Sequence, residues 1–272
     1  MPLKIDPAFV EKVLVRFIRD ELGRRGCGKA LLGLSGGLDS AVCAALAARA
    51  LGPENVLGLI MPYGRAFPGD VRDARALARR LGIRHKTIDI APQTDLYFAA
   101  HPTDSPVQRG NKMARERMAV LYDHSARDGG LVLGTSNKTE LLIGYGTVHG
   151  DLACAVNPMG DLYKTQVRRL AVHLRVPAAI RGKAPTAGLW PGQTDEGEIG
   201  LAYDELDLIL HALVEGRKGR REIVAAGHDP AAVDRVLAMV RRSEFKRAMP
   251  PVAKLSPRSV GHDFLFPRVR VR

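Results

Sequence analysis

Apolar residues near the N-terminus recur at helical spacing. Phe9, Val10, Val13, Leu14, Phe17 and Ile18, with Gly23 as a stop, predict a helix over 8–22. The next apolar stretch, Lys29-Ala-Leu-Leu-Gly-Leu34, is continuous and predicts a buried strand. It runs into the polar, glycine-rich string Ser35-Gly-Gly-Leu-Asp-Ser40, and an alanine-rich helix is expected from there to Leu51. Residues 55–61 predict a second strand, 70–81 a helix, 85–90 a third strand and 106–126 a long helix. A fourth strand, 131–134, again ends in polar residues, Thr135-Ser-Asn-Lys-Thr-Glu140. Strands alternating with helices predict an α/β fold, a parallel sheet with helices on both faces, Rossmann-like. Ligands of such sheets bind beyond the carboxyl ends of the strands, where both polar loops are expected.

The pattern changes after Glu140. Residues 144–161 are rich in Gly and Pro and read as a loop, and 164–175 as a helix. Residues 182–198, with Pro185, Gly188, Pro191 and Gly192, read as a second, mobile loop. Helices are expected at 202–215 and 230–242, and the Pro- and Arg-rich tail from Pro250 is expected to order only by contact. With no internal repeat and no independent second unit, the whole of 1–272 is expected to form a single domain with a basic tail at about 243–272.

Composition narrows the class. The chain is 46% hydrophobic over 272 residues, enough for a sizeable core. No apolar run approaches the roughly 20 residues of a membrane span, and the N-terminus has no apolar core of a signal peptide, so a cytoplasmic protein is expected. Cys27, Cys43 and Cys154 are scattered, which argues against a zinc or iron–sulfur site and suits a reducing compartment. The net charge is +12, and from Arg217 onward there are 14 Lys/Arg against 5 Asp/Glu. That field attracts anions without choosing among nucleotides, nucleic acid and acidic partners.

The sharpest chemical signal is the string Gly33, Leu34, Ser35, Gly36, Gly37, Leu38, Asp39 and Ser40. Glycines let the backbone approach a phosphate, successive N–H groups form an anion nest, and the helix adds its positive end. Asp39 would repel phosphate unless a cation sits between them, so Mg²⁺ is expected. Read locally, the string also suits a glycine turn with Asp39 as helix N-cap. The second loop suits a plain helix start, with Ser136 or Asn137 as N-cap and Glu140 closing a capping box. Beside Asp39 on the same sheet edge, Glu140 becomes a second metal carboxylate and Thr135 a nucleotide contact.

The loop Ser35-Gly-Gly-Leu-Asp-Ser40 resembles that of the SGGxDS ATP pyrophosphatases, an adenine nucleotide alpha-hydrolase-like superfamily. With it, in order, come Lys112-Met-Ala-Arg-Glu-Arg-Met118, residues 134–140, Asn157-Pro-Met-Gly-Asp-Leu-Tyr-Lys-Thr-Gln166, Lys183-Ala-Pro-Thr-Ala187, Gly192-Gln-Thr-Asp-Glu196 and Tyr203-Asp-Glu-Leu-Asp207. Together they resemble the NAD synthetase family, of the ammonia-dependent type, over roughly 9–247. The resemblance implies a ligase that adenylates deamido-NAD with ATP and amidates it with ammonia, releasing AMP and pyrophosphate. It gives residues 33–40 with Thr135, Lys164 and Thr186 to ATP, Asp39 and Glu140 to Mg²⁺, and Asp39 and Lys164 to catalysis. It gives Arg115, Asp151 and Lys246 to deamido-NAD. Without it, Lys164 would read as an exposed lysine at a helix start and Arg115 as a member of a helix-surface ion pair.

The family's usual Lys and later Asp after Glu140 are here Val148 and Ala155, as in its archaeal and glutamine-dependent members, and a His-Lys pair is Phe245-Lys246. The resemblance implies a homodimer with deamido-NAD near the subunit interface, and neither a membrane nor a nucleic acid as partner. The loops at 144–161 and 182–198 are expected to close over the adenylate. The chain leaves no room for a glutaminase domain, so ammonia, free or from a separate glutaminase, is the expected nitrogen donor. Two rivals stand beside this reading. A tRNA-modifying ATP pyrophosphatase suits the charge but not the scattered cysteines, and a non-catalytic nucleotide-binding module does not suit the two carboxylates.

Overall fold

The computed structural model describes residues 3–190 and 192–260. Pro191 and the tail from residue 261, both part of the expectations above, lie outside the described residues. The first helix, α1 (Pro7–Arg24), starts where the Asp6 carboxylate accepts from the amides of Ala8 and Phe9. Then follow β1 (Ala30–Gly33), α2 (Leu38–Leu51), β2 (Val56–Ile60), α3 (Pro68–Leu81), β3 (Arg84–Thr87), α4 (Ala91–Ala100), α5 (Pro106–Asp128) and β4 (Leu131–Val132). The four strands form one parallel sheet in the order β3-β2-β1-β4. The chain thus builds outward from β1 to β3, then returns through α4 and α5 to the other side of β1. The order reverses between β1 and β4, the place where such sheets open a crevice.

Alternation along the strands distributes the core. Leu32, Leu34, Val56 and Ile60 pack with α1, α2 and α3, whereas Leu31, Leu57, Leu59 and Met61 pack with Met113, Met118 and Leu121 of α5. Helix α2 is buried along Ser40–Ala48, and its alanines let it sit close to the sheet and to α1. Strand β3 is different: Arg84, His85, Lys86 and Thr87 are all exposed, and the charges of Arg84 and Lys86 guard an open sheet edge.

The expected elements hold, with local differences. The third strand ends at Thr87, although Ile88 and Ile90 still donate to the carbonyls of Ile60 and Pro62. The fourth ends at Val132, and Leu133, whose amide still donates to the Leu31 carbonyl, also bridges to Val156, so the 144–161 loop lays one residue along the sheet edge. Helix α4 has no periodic signature, since Leu96, Tyr97 and Phe98 are consecutive. Beyond β4 come α6 (Lys138–Ile143), α7 (Lys164–His173), α8 (Ala178–Arg181), α9 (Asp195–Ile199), α10 (Tyr203–Val214), α11 (Arg220–Ala225) and α12 (Pro230–Arg242). The short α8, α9 and α11 are the unexpected ones, and α9 begins inside the second expected loop. Helices α10 to α12 share their own apolar cluster, including Leu206, Ile209, Ile223 and Val236. Among the described residues no helix is long and apolar enough to cross a membrane.

One buried carboxylate fixes the second half of the chain to the sheet. Asp207 of α10, with no exposure, accepts from the Thr139 hydroxyl at 2.5 Å and from the Thr165 amide at 2.8 Å. Thr139 in turn accepts from the Lys164 amide at 3.0 Å. The starts of α6 and α7 are therefore tied together through α10. Replacing Asp207 with Ala strands two buried donors and should cost about 2–4 kcal/mol in urea unfolding. Asp207→Asn, which keeps one acceptor oxygen, should cost less. An Asp207→Ala loss below about 0.5 kcal/mol would show that the tie contributes nothing net.

Candidate functional site

The loop between β1 and α2 is shaped by its glycines and two hydroxyls. Gly36 has φ +82°, and a Cβ there would lie 2.4 Å from the Asp70 carbonyl oxygen. Only glycine combines that conformation with that approach. Gly37 is the N-cap of α2, so the local alternative of Asp39 as cap is corrected: Asp39 sits inside the first turn. The Ser35 hydroxyl accepts from the Gly37 amide at 3.2 Å and lies 3.0 Å from the Ser40 hydroxyl, which donates to the Gly37 carbonyl at 3.1 Å. The result is a closed turn at the positive end of α2.

Across the reversal point, Asn137 caps α6 and Glu140 closes the capping box. That local arrangement coexists with a longer-range one. The Asn137 amide donates to Asp39 Oδ1 at 3.0 Å, and Lys164 Nζ bonds Asp39 Oδ2 while lying 3.6 Å from Glu140 Oε1. Lys164 is 3% exposed, which corrects the reading of it as an exposed lysine. Burial alone would lower its ammonium, but Asp39 and Glu140 outweigh burial and hold it above its ordinary pKa. Glu140 is pushed the other way for a carboxylate: burial and the charge of Asp39 raise it to about 8, against the pull of Lys164. Behind Lys164, Asp195 is 4% exposed and accepts from the hydroxyls of Tyr145 and Tyr203, each at 3.0 Å. Burial comes first among the causes that raise its pKa. The Tyr203 ring lies 5.3 Å from the Lys164 ammonium.

These groups open on a cavity of about 670 Å³. Residues 33–40 line it except Gly36, whose carbonyl turns to Lys183 Nζ at 3.1 Å. Thr135, Glu140, Asp151, Lys164, Thr186 and Lys246 also line it. Asp151 accepts from the Thr147 amide at 2.8 Å, and the Lys246 ammonium donates to the carbonyls of Gly144 and Gly146 at 2.7 and 2.8 Å. Arg115 is not brought into this group. It is exposed, donates to the Val148 carbonyl at 3.2 Å instead of forming an ion pair, and lines a smaller cleft of about 360 Å³ with Tyr97, Phe98 and Lys112. Asn111 borders both spaces.

Sequence reasoning did not single out Asn137 as a holder of Asp39, nor Tyr145, Asp195, Tyr203 and Lys183. Each acts through a partner tens of residues away, and no local pattern marks such pairing. The nearest signal was the ordered set of segments, within which Lys183, Asp195 and Tyr203 all fall.

A family model described as NAD synthase matches residues 10–250. The chain belongs to the NAD synthase family. A relative from Chlorobaculum tepidum, named NH(3)-dependent NAD(+) synthetase, is 52% identical over 98% of this chain and 96% of its own. The structure of NMN synthetase from Francisella tularensis superposes with TM-score 0.82 at 34% identity, covering 92% of this chain and 99% of that one. The NH3-dependent NAD synthetase of Campylobacter jejuni, solved with nitrate, gives 0.80 at 34%, over 92% and 100%. The fold of the family thus extends through the α10 to α12 cluster.

The Glu140 shift has a consequence for stability. Its folded pKa of about 8 lies above the ordinary 4.5, so across that window the folded chain keeps a proton that the unfolded chain releases. The contribution of this group therefore falls as pH rises from about 4.5 to 8. Glu140→Gln, which cannot ionise, should flatten the decline in melting temperature of the ligand-free protein between about pH 5 and 8. Equal pH slopes for the two proteins would mean that Glu140 titrates as an ordinary carboxylate.

Proposed function

We propose that this chain makes NAD by amidating deamido-NAD with ammonia, with ATP converted to AMP and pyrophosphate. The observation that carries the reading is a buried lysine held by two carboxylates at the mouth of a glycine-lined phosphate nest, in a chain of this family. A carboxylate oxygen is a poor leaving group, so the nicotinate carboxylate first attacks the α-phosphorus of ATP and pyrophosphate departs. Ammonia then attacks the acyl carbon and AMP departs with the bonding electrons. The nest amides and the hydroxyls of Ser35, Ser40, Thr135 and Thr186 receive the ATP phosphates, and Lys164 supplies positive charge as pyrophosphate leaves. Arg115, Asp151 and Lys246 face deamido-NAD, with Val148, Ala155 and Phe245 at positions where many family members differ. The loops at 144–161 and 182–198 exclude water from the adenylate.

Mg²⁺ fits the donor set. Asp39 and Glu140 present hard oxygen ligands on one wall of the cavity, beside the glycine-rich loop. These two residues would hold the ion, which when bound supplies counter-charge to the phosphates. The tRNA-thiolating alternative is disfavoured, because burial pushes the Cys43 thiol up to about 12 and Cys154 is likewise raised by burial. We place this enzyme in the cytoplasm, as one domain using free ammonia or ammonia from a separate glutaminase.

With ATP, Mg²⁺, ammonium and deamido-NAD, the protein should form NAD and AMP in equal amounts, and with glutamine in place of ammonium it should form neither. The NMN synthetase relative makes the mononucleotide counterpart of deamido-NAD the substrate to compare, and deamido-NAD should give the higher kcat/KM. Asp39→Asn should stay folded by circular dichroism yet lose about 10²–10³ in pyrophosphate release. NAD synthesis from glutamine by the purified chain, or near wild-type release by a folded Asp39→Asn, would overturn the reading.

Leu96, Tyr97 and Val107 leave apolar surface exposed on α4 and α5, beside the cleft that holds Arg115. We assign this face to a homodimer. Light scattering at micromolar concentration should give twice the chain mass of 29.5 kDa. A fully active monomer would remove the subunit interface from the binding of deamido-NAD.

A further inference from the structure

Lys183 lines the cavity as Lys164 does, but its donors are already taken. Its ammonium bonds Asp70 Oδ1 at 2.6 Å and Asp73 Oδ2 at 2.7 Å, both on α3. Its third bond, at 3.1 Å, goes to the carbonyl of Gly36 in the phosphate nest. Three close acceptors take the three N–H donors of this ammonium, so none is left for a phosphate. What it does have is position. It stands at the start of a strap, residues 183–190, that carries Thr186 over the cavity and reaches α5, where Leu189 and Trp190 pack against Gly110.

The same contact acts on the nest. A carbonyl pointing into an anion site would repel phosphate, and Gly36 is the residue whose left-handed backbone sets which way its peptide groups face. Lys183 holds the Gly36 carbonyl away from the cavity, and Asp70 presses against the same glycine from α3. One ammonium therefore joins three elements: the strap, the nest and the start of α3.

We propose that Lys183 is a positioning residue that couples the seating of the Thr186 strap to the conformation of the phosphate nest, and thereby keeps water from the adenylate. The proposal rests on the NAD synthetase reading for the identity of that intermediate. Without the pin, the strap lifts and the nest loses its set geometry together. Water then attacks the acyl carbon of the adenylate, the bond from that carbon to the phosphate oxygen breaks, and AMP leaves with the electron pair. The acid is regenerated, so the net change is ATP plus water to AMP plus pyrophosphate, with no NAD formed.

The test measures AMP and NAD together in the full chain. Lys183→Met keeps the stem and removes the charge. It should lower kcat/KM for ATP by about 10–100-fold and raise the AMP-to-NAD ratio above the one-to-one of wild type. Lys183→Arg, whose fork can still meet Asp70 and Asp73, should restore much of the coupling. Asp73→Asn, which weakens the pin without touching the cavity, should shift the ratio in the same direction by less and covers the case in which Lys183→Met does not fold. Amide hydrogen exchange over 184–190, read without substrates, should quicken in both Lys183→Met and Asp73→Asn. A one-to-one ratio with unchanged exchange in folded variants would overturn the proposal. Absence of NAD formation by wild type would instead fall on the functional reading, and the exchange measurement would still decide whether the pin exists.

Discussion

Three charges buried together at the ends of three helices govern this molecule. Asp39 belongs to α2, Glu140 to α6 and Lys164 to α7, and none of these side chains is well exposed. Removing such groups from water costs several kcal/mol each unless partners offset it. Burial first, and the charge of Asp39 second, raise Glu140 against the pull of Lys164, so the set does not hold both carboxylates ionised with equal ease. The folded chain holds this arrangement because the surrounding structure leaves little alternative. Asn137 braces Asp39, the Asp207–Thr139 pair fixes the starts of α6 and α7, and Tyr203 and Asp195 close the rear.

The topology of the sheet explains how distant residues reach this place. β1 lies between β2 and β4, so the loops that follow β1 and β4 emerge side by side although about a hundred residues separate them. Helix α7, beyond β4, then brings Lys164 to both Asp39 and Glu140. The strap from Lys183 to Trp190 lines the same cavity, and α9 delivers Asp195. Asp39, Glu140 and Lys164 thus each sit in the first turn of a helix.

Much of this was legible in the chain itself, for identifiable reasons. Buried parallel strands such as Ala30–Gly33 and Val56–Ile60 are continuous apolar runs and announce themselves. The nest is legible because its glycines and serines are consecutive. Helix α4 was not, since its apolar residues cluster without helical spacing, and the short helices α8, α9 and α11 fall below the length at which periodicity speaks. Long-range pairs are the other blind spot. Nothing around Lys164 says that it is buried against Asp39, and nothing around Lys183 says that its partners lie on α3. Arg115 likewise could not be placed from its neighbours in the chain: it lines a cleft beside the main cavity, with Asn111 bordering both.

Helix α2 carries one further implication. Its segment Ser40–Ala48 is enclosed on every side and built mostly from alanine, so the distance between helix axis and sheet is fixed by methyl groups. The nest at its N-terminus inherits that rigidity. Under the proposed function, a phosphate arriving there would meet donors already in place, and little conformational entropy would remain to be lost on binding. Directed evolution would find this region unyielding, because a larger side chain anywhere along that face would displace the helix and the anion site with it. Substrate range in such a scaffold can change through the strap and the α5 cleft, while the phosphate end stays as folding made it.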